Sequence, residues 1–295
     1  MINKNVILLQ TCSLITNNTI SIIIAMKQIP KAYENLEFLK SPQARILRIM
    51  SEFVEPQARF MKNQIKDTVV FFGSARLPSR EDAEKQLAEI KAQKDPDPKA
   101  VKKAEINLKN SRYYEDAVEL SKRITQWSIK NYYHNGRRYV VCTGGGPGIM
   151  EAANRGAHLA GGKSVGLNIS LPFEQYANPY LEDELNFEFH YFFMRKFWFA
   201  YPAKAIVIFP GGFGTLDELA EILTLVQTGK IKKDMKILIY DSIYWNDIIN
   251  FSKFAENGMI SEEDLNLFKI CDTVDDMEQE LLAHFEKMKD KDKLM

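Results

Sequence analysis

Short apolar segments typical of buried strands alternate with helical segments along most of this 295-residue chain. Strands are predicted over 68–75, 138–143, 163–169, 187–193, 204–209, 236–240 and 268–272. Helices are predicted over 112–131, 148–160, 215–229, 244–257 and 274–290. Near-continuous apolar strands separated by helices are typical of a parallel sheet that is covered on both faces. The sequence therefore predicts an α/β fold, a doubly wound, Rossmann-like parallel sheet with helices on both faces.

The segment 80–110 interrupts this alternation after the first strand. Fifteen of its residues are charged, 8 basic and 7 acidic, and the sequence Asp95-Pro96-Asp97-Pro98 divides it in two. Proline disfavours helix in the residue that precedes it and often begins a new element. We therefore predict a helical hairpin inserted after the first strand, exposed to solvent and without chemistry of its own.

Residues 1–25 form a leader with two apolar runs, 6–9 and 20–25, separated by a polar stretch. A spanning helix needs about 20 mostly apolar residues, and the signal-peptide cleavage pattern is also missing. Three interpretations stay open: a mis-assigned start or disordered leader, an additional strand or helix packed on the domain, and a targeting segment. Residues 26–295 are predicted to form one Rossmann-like domain with the charged insertion.

The charge and cysteine content exclude several classes of protein. Lys plus Arg and Asp plus Glu are both 39, so the chain lacks the excess of basic residues that general nucleic-acid binding needs. Cys12, Cys142 and Cys271 are far apart and form no disulfide framework or metal-binding pair, which favours a reducing cytoplasm. No histidine has the spacing of a metal ligand. We expect a cytoplasmic protein with no metal, nucleic-acid or membrane partner.

Eleven of the fifteen glycines lie between Gly144 and Gly214, mostly in two turns. We call Thr143-Gly144-Gly145-Gly146-Pro147-Gly148 the first glycine turn and Pro210-Gly211-Gly212-Phe213-Gly214-Thr215 the second glycine turn. Each joins a predicted strand to a predicted helix, at the sheet edge where α/β proteins bind ligands. Because glycine admits a ligand close to the backbone and a helix N-terminus attracts anions, the turns predict a phosphorylated ligand. Tight strand-to-helix turns alone would also explain the glycines.

Two well-known phosphate motifs do not fit these turns. The dinucleotide motif G-x-G-x-x-G from Gly144 would need glycine at position 149, where Ile149 stands. A P-loop ending at Gly162-Lys163-Ser164 would need glycine at position 157, where Ala157 stands. NAD and magnesium–nucleoside triphosphate chemistry are therefore disfavoured, and we predict no cofactor.

Two segments supply candidate acids, bases and cations. Thr215 and Glu218 have the spacing of a capping box, in which the carboxylate folds back onto the helix start. Alternatively, Glu218 is a carboxylate beside a bound substrate. Arg195 and Lys196 follow Met194 and precede an aromatic run. They are either long side chains that reach solvent from a helix start, or Arg195 is a planar donor to a phosphate or carboxylate.

Four segments in this order resemble the LONELY GUY (LOG) family: Phe72–Arg76 (FGSAR), Thr143–Ala157 (TGGGPGIMEAANRGA), Met194–Lys196 (MRK) and Pro210–Glu218 (PGGFGTLDE). The family comprises nucleoside 5′-monophosphate phosphoribohydrolases, including cytokinin-activating enzymes. Its members have often been labelled "possible lysine decarboxylase", which nothing in this sequence supports. The resemblance covers roughly residues 65–275, and the chain departs from the family at the leader and at the insertion.

The resemblance implies that Arg195 and Glu218 are the catalytic pair. It implies that the 5′-phosphate is held by Gly211, Gly212, Gly214 and Thr215. It also implies that Gly73, Ser74, Gly145, Gly146, Met194 and Lys196 line the nucleotide cleft. Family members are homodimers or larger assemblies and need no metal, so we expect a homodimer or higher homo-oligomer.

The implied reaction is hydrolysis of the N-glycosidic bond of a nucleoside 5′-monophosphate, such as AMP or an N6-modified AMP, to free base and ribose 5-phosphate. Such bonds break through an oxocarbenium-like state. Glu218 would stabilise the developing positive charge or activate water, and Arg195 would orient Glu218 or the substrate. Two alternatives stay open: a non-catalytic nucleotide-binding module, and a transferase that moves the ribosyl phosphate to an acceptor other than water.

Overall fold

A computed structural model of the protein describes residues 29–132, 136–170 and 177–293. The predicted leader lies outside the described residues. The chain divides into two units, one that ends at Arg45 and one that begins at Ile46. The described part of the first unit contains two short 3-10 turns and helix α1 (Leu36–Lys40), which begins where the Asn35 side chain accepts a hydrogen bond from the Phe38 N–H.

Within the described residues, seven parallel strands form one sheet in the order β4-β3-β2-β1-β5-β6-β7. The strands are β1 (Thr68–Phe72), β2 (Val140–Thr143), β3 (Ser164–Ile169), β4 (Asn186–Phe189), β5 (Ala203–Ile208), β6 (Lys236–Tyr240) and β7 (Lys269–Cys271). This sheet confirms the predicted fold class. The largest difference in strand bounds is at β4, which is predicted to end at residue 193 and ends at Phe189.

The helices are α2 (Arg45–Lys62), α3 (Arg80–Lys91), α4 (Pro98–Asn110), α5 (Arg112–Tyr132), α6 (Ile149–Leu159), α7 (Phe192–Ala200), α8 (Phe213–Gln227), α9 (Ser242–Ile248), α10 (Phe251–Glu256) and α11 (Val274–Lys293). The single helix predicted over 244–257 is wrong. Ile249 has extended backbone angles, and the Asn250 side chain then caps α10 by accepting from the Lys253 N–H. Asparagine favours helix caps because its side chain competes for backbone groups inside a helix.

Alternating side chains of β1 build one hydrophobic core on each face of the sheet. Val69 and Phe71 pack in a cluster with residues of α5, α6 and α11, whereas Val70 and Phe72 pack in a cluster with residues of α2, α7 and α8. Full burial of each such side chain contributes about 1.5–3 kcal/mol. Because both faces are covered, the central strands β1 and β2 are buried along their whole length, as near-continuous apolar segments predict.

The charged segment after β1 forms the predicted helical hairpin. The Ser79 side chain caps α3 and the Asp97 side chain caps α4. The two helices contact each other, and Lys91 Nζ of α3 lies 2.9 Å from Glu105 Oε1 of α4. Most residues of this hairpin are exposed. The buried residues of its two helices are Ala83 in α3 and Ala104 in α4.

Candidate active site

A cleft of about 830 Å³ opens at the carboxyl edge of the sheet, beside the ends of β1 and β5. β1 pairs with β2 on one side and with β5 on the other, so the strand order reverses at this point. Open α/β sheets bind their ligands at such a reversal. The predicted site residues that line the cleft are Gly73, Ser74, Arg195, Gly211, Gly212, Gly214, Thr215 and Glu218. Eight of the twelve predicted site residues therefore meet in one cleft.

The second glycine turn leads directly into α8, which begins at Phe213 with Gly212 as its N-cap. The capping-box interpretation of Thr215 and Glu218 is therefore wrong, because Thr215 lies inside the first helical turn. The first N–H groups of a helix have no acceptor within the helix, and the helix dipole favours an anion there. The turn thus presents backbone donors to the cleft, with Glu218 about one turn further along α8.

The glycines of the second turn differ in what surrounds them. A Cβ atom at Gly211 would collide with the Thr215 side chain, so close packing within the protein requires glycine there. A Cβ atom at Gly212 or Gly214 would meet no atom within 4 Å, and neither residue has a positive φ. Nothing within the described chain requires glycine at these two positions, so their open space is available to a ligand.

Glu218 is a buried carboxyl group, with 8% of its surface exposed. Burial raises the pKa of Glu218 to about 7, although the positive charges of Lys196 and Arg195 act in the opposite direction. A carboxylate loses hydration when it is buried, which favours the neutral form. Glu218 therefore titrates near neutral pH, where a general base is most effective.

Arg195 approaches the cleft from α7 and is held by the sheet. Its Nε donates a hydrogen bond of 2.7 Å to the Leu167 carbonyl at β3, and its guanidinium lies 5.0 Å from the centre of the Phe199 ring. Burial lowers the pKa of Arg195, while the Glu218 carboxylate raises it. The fixed Nε leaves the terminal nitrogens of the guanidinium for the cleft.

Lys196 and Met194, although predicted as nucleotide contacts, do not line this cleft. Lys196 Nζ lies 2.7 Å from Asp217 Oδ2 and 2.5 Å from Glu221 Oε2. Met194 is buried in the hydrophobic core beneath α7. Because α7 turns successive side chains by about 100°, only Arg195 of the three faces the cleft. Lys196 instead forms ion pairs with Asp217 and Glu221, two carboxylates that flank Glu218.

The first glycine turn meets the cleft at Gly144. A Cβ atom there would lie 2.5 Å from a terminal nitrogen of Arg195, so glycine makes room for that guanidinium. Gly145 and Gly146, two more of the predicted contacts, are buried and do not line the cleft. Their carbonyls accept hydrogen bonds of 3.0 and 3.1 Å from the Asn178 side chain. The turn thus shapes the site mainly by placing Arg195.

Several cleft residues are missed by the sequence reasoning. Tyr244, from α9, donates a hydrogen bond of 2.7 Å to the Gly211 carbonyl. Asn110, the last residue of α4, also lines the cleft, so the end of the hairpin reaches the candidate site. No local pattern singles out either residue. Arg76, in contrast, belongs to the FGSAR segment and could have been predicted from it.

The described ranges 29–132, 136–170 and 177–293 contain neither a candidate metal site nor a candidate membrane span. No group of three His, Cys, Asp or Glu side chains there could hold a metal ion. Nor does this part of the chain include a helix that is long and apolar enough to cross a membrane.

Comparison with known proteins gives a family. The family model described as "Possible lysine decarboxylase" matches residues 150–281. The probable cytokinin riboside 5′-monophosphate phosphoribohydrolase LOG4 of Oryza sativa subsp. japonica is 31% identical over 140 residues, 47% of this chain and 60% of the relative. The cytokinin riboside 5′-monophosphate phosphoribohydrolase LOG3 of Arabidopsis thaliana is 30% identical over 156 residues, 52% of this chain and 66% of the relative. The chain belongs to the LOG family.

The match between this LOG-family chain and its relatives is partial. It spans 60% of the rice relative and 66% of the Arabidopsis relative. Among solved structures, the molybdenum cofactor carrier protein of Chlamydomonas reinhardtii aligns with a TM-score of 0.41 at 17% identity, over 75% of this chain and 99% of that one. The fold class follows from the strand order of this chain and not from that structural likeness.

Proposed function

We propose that this LOG-family protein hydrolyses the N-glycosidic bond of a nucleoside 5′-monophosphate, AMP or an N6-modified AMP, to the free base and ribose 5-phosphate. The observation that carries the proposal is the placement of Glu218. It is a buried carboxyl group whose pKa is raised to about 7, and it lines the same cleft as Arg195 and the second glycine turn. The names of the relatives support a nucleoside monophosphate as the class of substrate.

The 5′-phosphate is assigned to the second glycine turn. The open space at Gly212 and Gly214 allows phosphate oxygens to approach the backbone, and the N-terminus of α8 favours the negative charge. The cations that line the cleft are Arg76 and Arg195. Phosphate binding therefore depends mainly on backbone N–H groups, with little help from a cationic cluster.

The ionised form of Glu218 is assigned to the chemical step. As the bond between the anomeric carbon and the base breaks, positive charge develops on the ribose ring, and a nearby carboxylate stabilises it. Water then supplies the hydroxyl group that attaches to the anomeric carbon, and its remaining proton ends on the departing base. The positive charge of Arg195 favours the ionised form of Glu218, and we assign Arg195 to orienting Glu218 or the substrate.

The test is incubation of the full-length protein with AMP, followed by measurement of adenine and ribose 5-phosphate by chromatography. Hydrolysis yields the two products in equal amounts. A binding module yields neither, and a transferase yields adenine without free ribose 5-phosphate. Glu218→Gln should lower turnover by about 100-fold or more while the fold survives, as expected for loss of a general base or charge stabiliser.

Glu221→Gln is the matched control, because it changes a carboxylate one turn further along α8 that contacts Lys196. We expect it to lose less than about tenfold in turnover, since it lies outside the cleft wall. Adenine release by Glu218→Gln at the unmodified rate would refute the assignment of Glu218.

The pH profile tests the protonation state that the reaction needs. Because the ionised carboxylate is assigned to catalysis and its pKa is about 7, kcat/KM should rise about tenfold per pH unit below 7 and level off above it. The substrate phosphate also titrates near pH 6, so AMP binding by Glu218→Gln is measured over the same range as a correction. A corrected profile that falls with rising pH would instead assign Glu218 as an acid.

A homo-oligomer and a cytoplasmic location stay predictions from the resemblance and the cysteine content. Light scattering after gel filtration would measure the mass in solution against the 34.0 kDa of one chain.

A further inference from the structure

Tyr244 connects α9 to the second glycine turn. Its phenol donates a hydrogen bond of 2.7 Å to the Gly211 carbonyl, and its side chain lines the cleft. Burial raises the pKa of Tyr244, although the contact with Gly211 lowers it, so the phenol remains a protonated donor at neutral pH. Tyr244 lies outside all four segments that resemble the family.

This hydrogen bond fixes the direction of one peptide unit. In a planar trans peptide, the Gly211 carbonyl and the Gly212 N–H point in opposite directions. When Tyr244 holds the carbonyl, the N–H of Gly212 is therefore turned away from α9. Gly212 has open space around it and caps the N-terminus of α8, where the 5′-phosphate is assigned.

Asp241 fixes the position of Tyr244 in turn. It is buried and has a φ of +77°, a left-handed backbone conformation that residues other than glycine rarely adopt. Its Oδ1 accepts a hydrogen bond of 2.8 Å from the Tyr244 N–H, and its Oδ2 accepts one of 2.8 Å from the Tyr113 hydroxyl and another from Arg112. A costly conformation held by this many contacts is typical of a functional position.

We propose that Tyr244 and Asp241 are positioning residues for phosphate binding: Asp241 places Tyr244, and Tyr244 orients the Gly211–Gly212 peptide toward the 5′-phosphate. The inference rests on the proposed function. It adds a chain of contacts from the start of α5, through the carboxyl end of β6, to the second glycine turn. Because both residues act through the turn that is assigned to the 5′-phosphate, we expect their effect to fall on binding.

The decisive variant is Tyr244→Phe, which removes the hydroxyl and keeps the ring. We expect KM for AMP and Kd for ribose 5-phosphate to rise together by about three- to tenfold, because one hydrogen bond contributes a free energy of this size. The kcat of the variant should stay within about twofold of the unmodified protein's value. Tyr240→Phe is the matched control, because its hydroxyl donates a hydrogen bond of 2.8 Å to Asp116 and it does not line the cleft. Both constants should stay unchanged in that control.

A second variant, Asp241→Asn, keeps the side-chain size and a residue type that tolerates positive φ. It should raise Kd for ribose 5-phosphate by about threefold, and the double variant should show less than the product of the two single effects, because both act through the same turn. If Asp241→Asn does not fold, Tyr244→Phe decides alone.

An unchanged Kd for ribose 5-phosphate in Tyr244→Phe would overturn the proposal. A fall in kcat with that Kd unchanged would overturn it as well, since the effect would then lie on the chemical step. Calorimetry with ribose 5-phosphate needs no turnover, so failure of this inference is distinguishable from failure of the proposed hydrolysis.

Discussion

The two glycine turns follow strands on either side of β1, and their glycines meet different physical demands. In the first turn, Gly145 and Gly148 have positive φ, and an added Cβ at either would lie less than 3.0 Å from the Asn168 side chain or from the Ser74 backbone. In the second turn, Gly212 and Gly214 have neither positive φ nor a neighbour within 4 Å of an added Cβ.

This difference separates two causes of a glycine-rich turn that look alike in a sequence. Gly145 and Gly148 of the first turn are required by the protein's own backbone conformation and packing. Nothing in the described chain requires Gly212 and Gly214 of the second turn, and their open space is free for the phosphate that we assign there. Substitutions in the two turns should therefore change different measurable quantities.

The largest expected effect is on stability, in the first turn. Gly148→Ala adds a methyl group against the Ser74 backbone at a φ of +70°. We expect a loss of about 3 kcal/mol in the free energy of unfolding, from backbone strain and overpacking together. Urea unfolding measures it. A loss below about 0.5 kcal/mol would show that packing does not require this glycine.

A change of similar size but opposite sign in the free energy of unfolding is expected for a substitution of Glu218, which follows the second turn. Its folded-state pKa is raised from 4.5 to about 7, so the folded protein loses stability as pH rises through that window. Glu218→Gln removes this cost and should raise the free energy of unfolding at pH 8 by about 3 kcal/mol. At pH 4 the two proteins should unfold alike. Equal stability at both pH values would contradict the raised pKa.

The next largest effect is expected for Gly144→Ala, a substitution at the position where the first turn reaches the cleft. The added methyl group would lie 2.5 Å from a terminal nitrogen of Arg195 and would displace the guanidinium. We expect kcat for AMP hydrolysis to fall by about 100-fold, because small misplacements of catalytic groups have effects of this size. Steady-state kinetics measure it, and unaltered kcat would remove Arg195 from the proposed mechanism.

The smallest effect, and the sharpest contrast, is expected for Gly214→Ala. Alanine favours helix over glycine, and no neighbour obstructs it, so stability should rise by up to about 1 kcal/mol. The methyl group would occupy space assigned to phosphate, so KM for AMP should rise by about tenfold. Thermal unfolding and kinetics on the same sample test both signs. A drop in stability, as at Gly148, would make the two turns equivalent.

Much of the fold can be predicted from the sequence because its signals are local. Apolar runs bounded by glycine predict the strands, and the charged segment with two prolines predicts the hairpin of α3 and α4. Helix ends are harder to predict: Asn250 is the one cap residue within the segment 244–257 that marks the break, and the extended Ile249 before it separates α9 from α10. The capping-box spacing of Thr215 and Glu218 is also misleading, because α8 begins at Phe213 and its N-cap is Gly212.

The site is predictable only in part. Local motifs identify Arg195 and Glu218, and the structure brings both to one cleft. They do not separate Arg195 from Lys196, whose charge is neutralised by Asp217 and Glu221 of a helix that lies elsewhere in the sequence. Tyr244 carries no sequence signal, because its contact with Gly211 joins residues 33 positions apart.

The sequence by itself determines the doubly wound sheet, the two glycine turns and the candidate catalytic pair, since periodicity and short motifs depend on neighbouring residues. Only the tertiary structure decides which glycines face open space, which of the adjacent cations reaches the cleft, and why Glu218 titrates near pH 7. These properties depend on burial and on residues from distant segments, chiefly α7, α8 and α9, that meet where the strand order reverses.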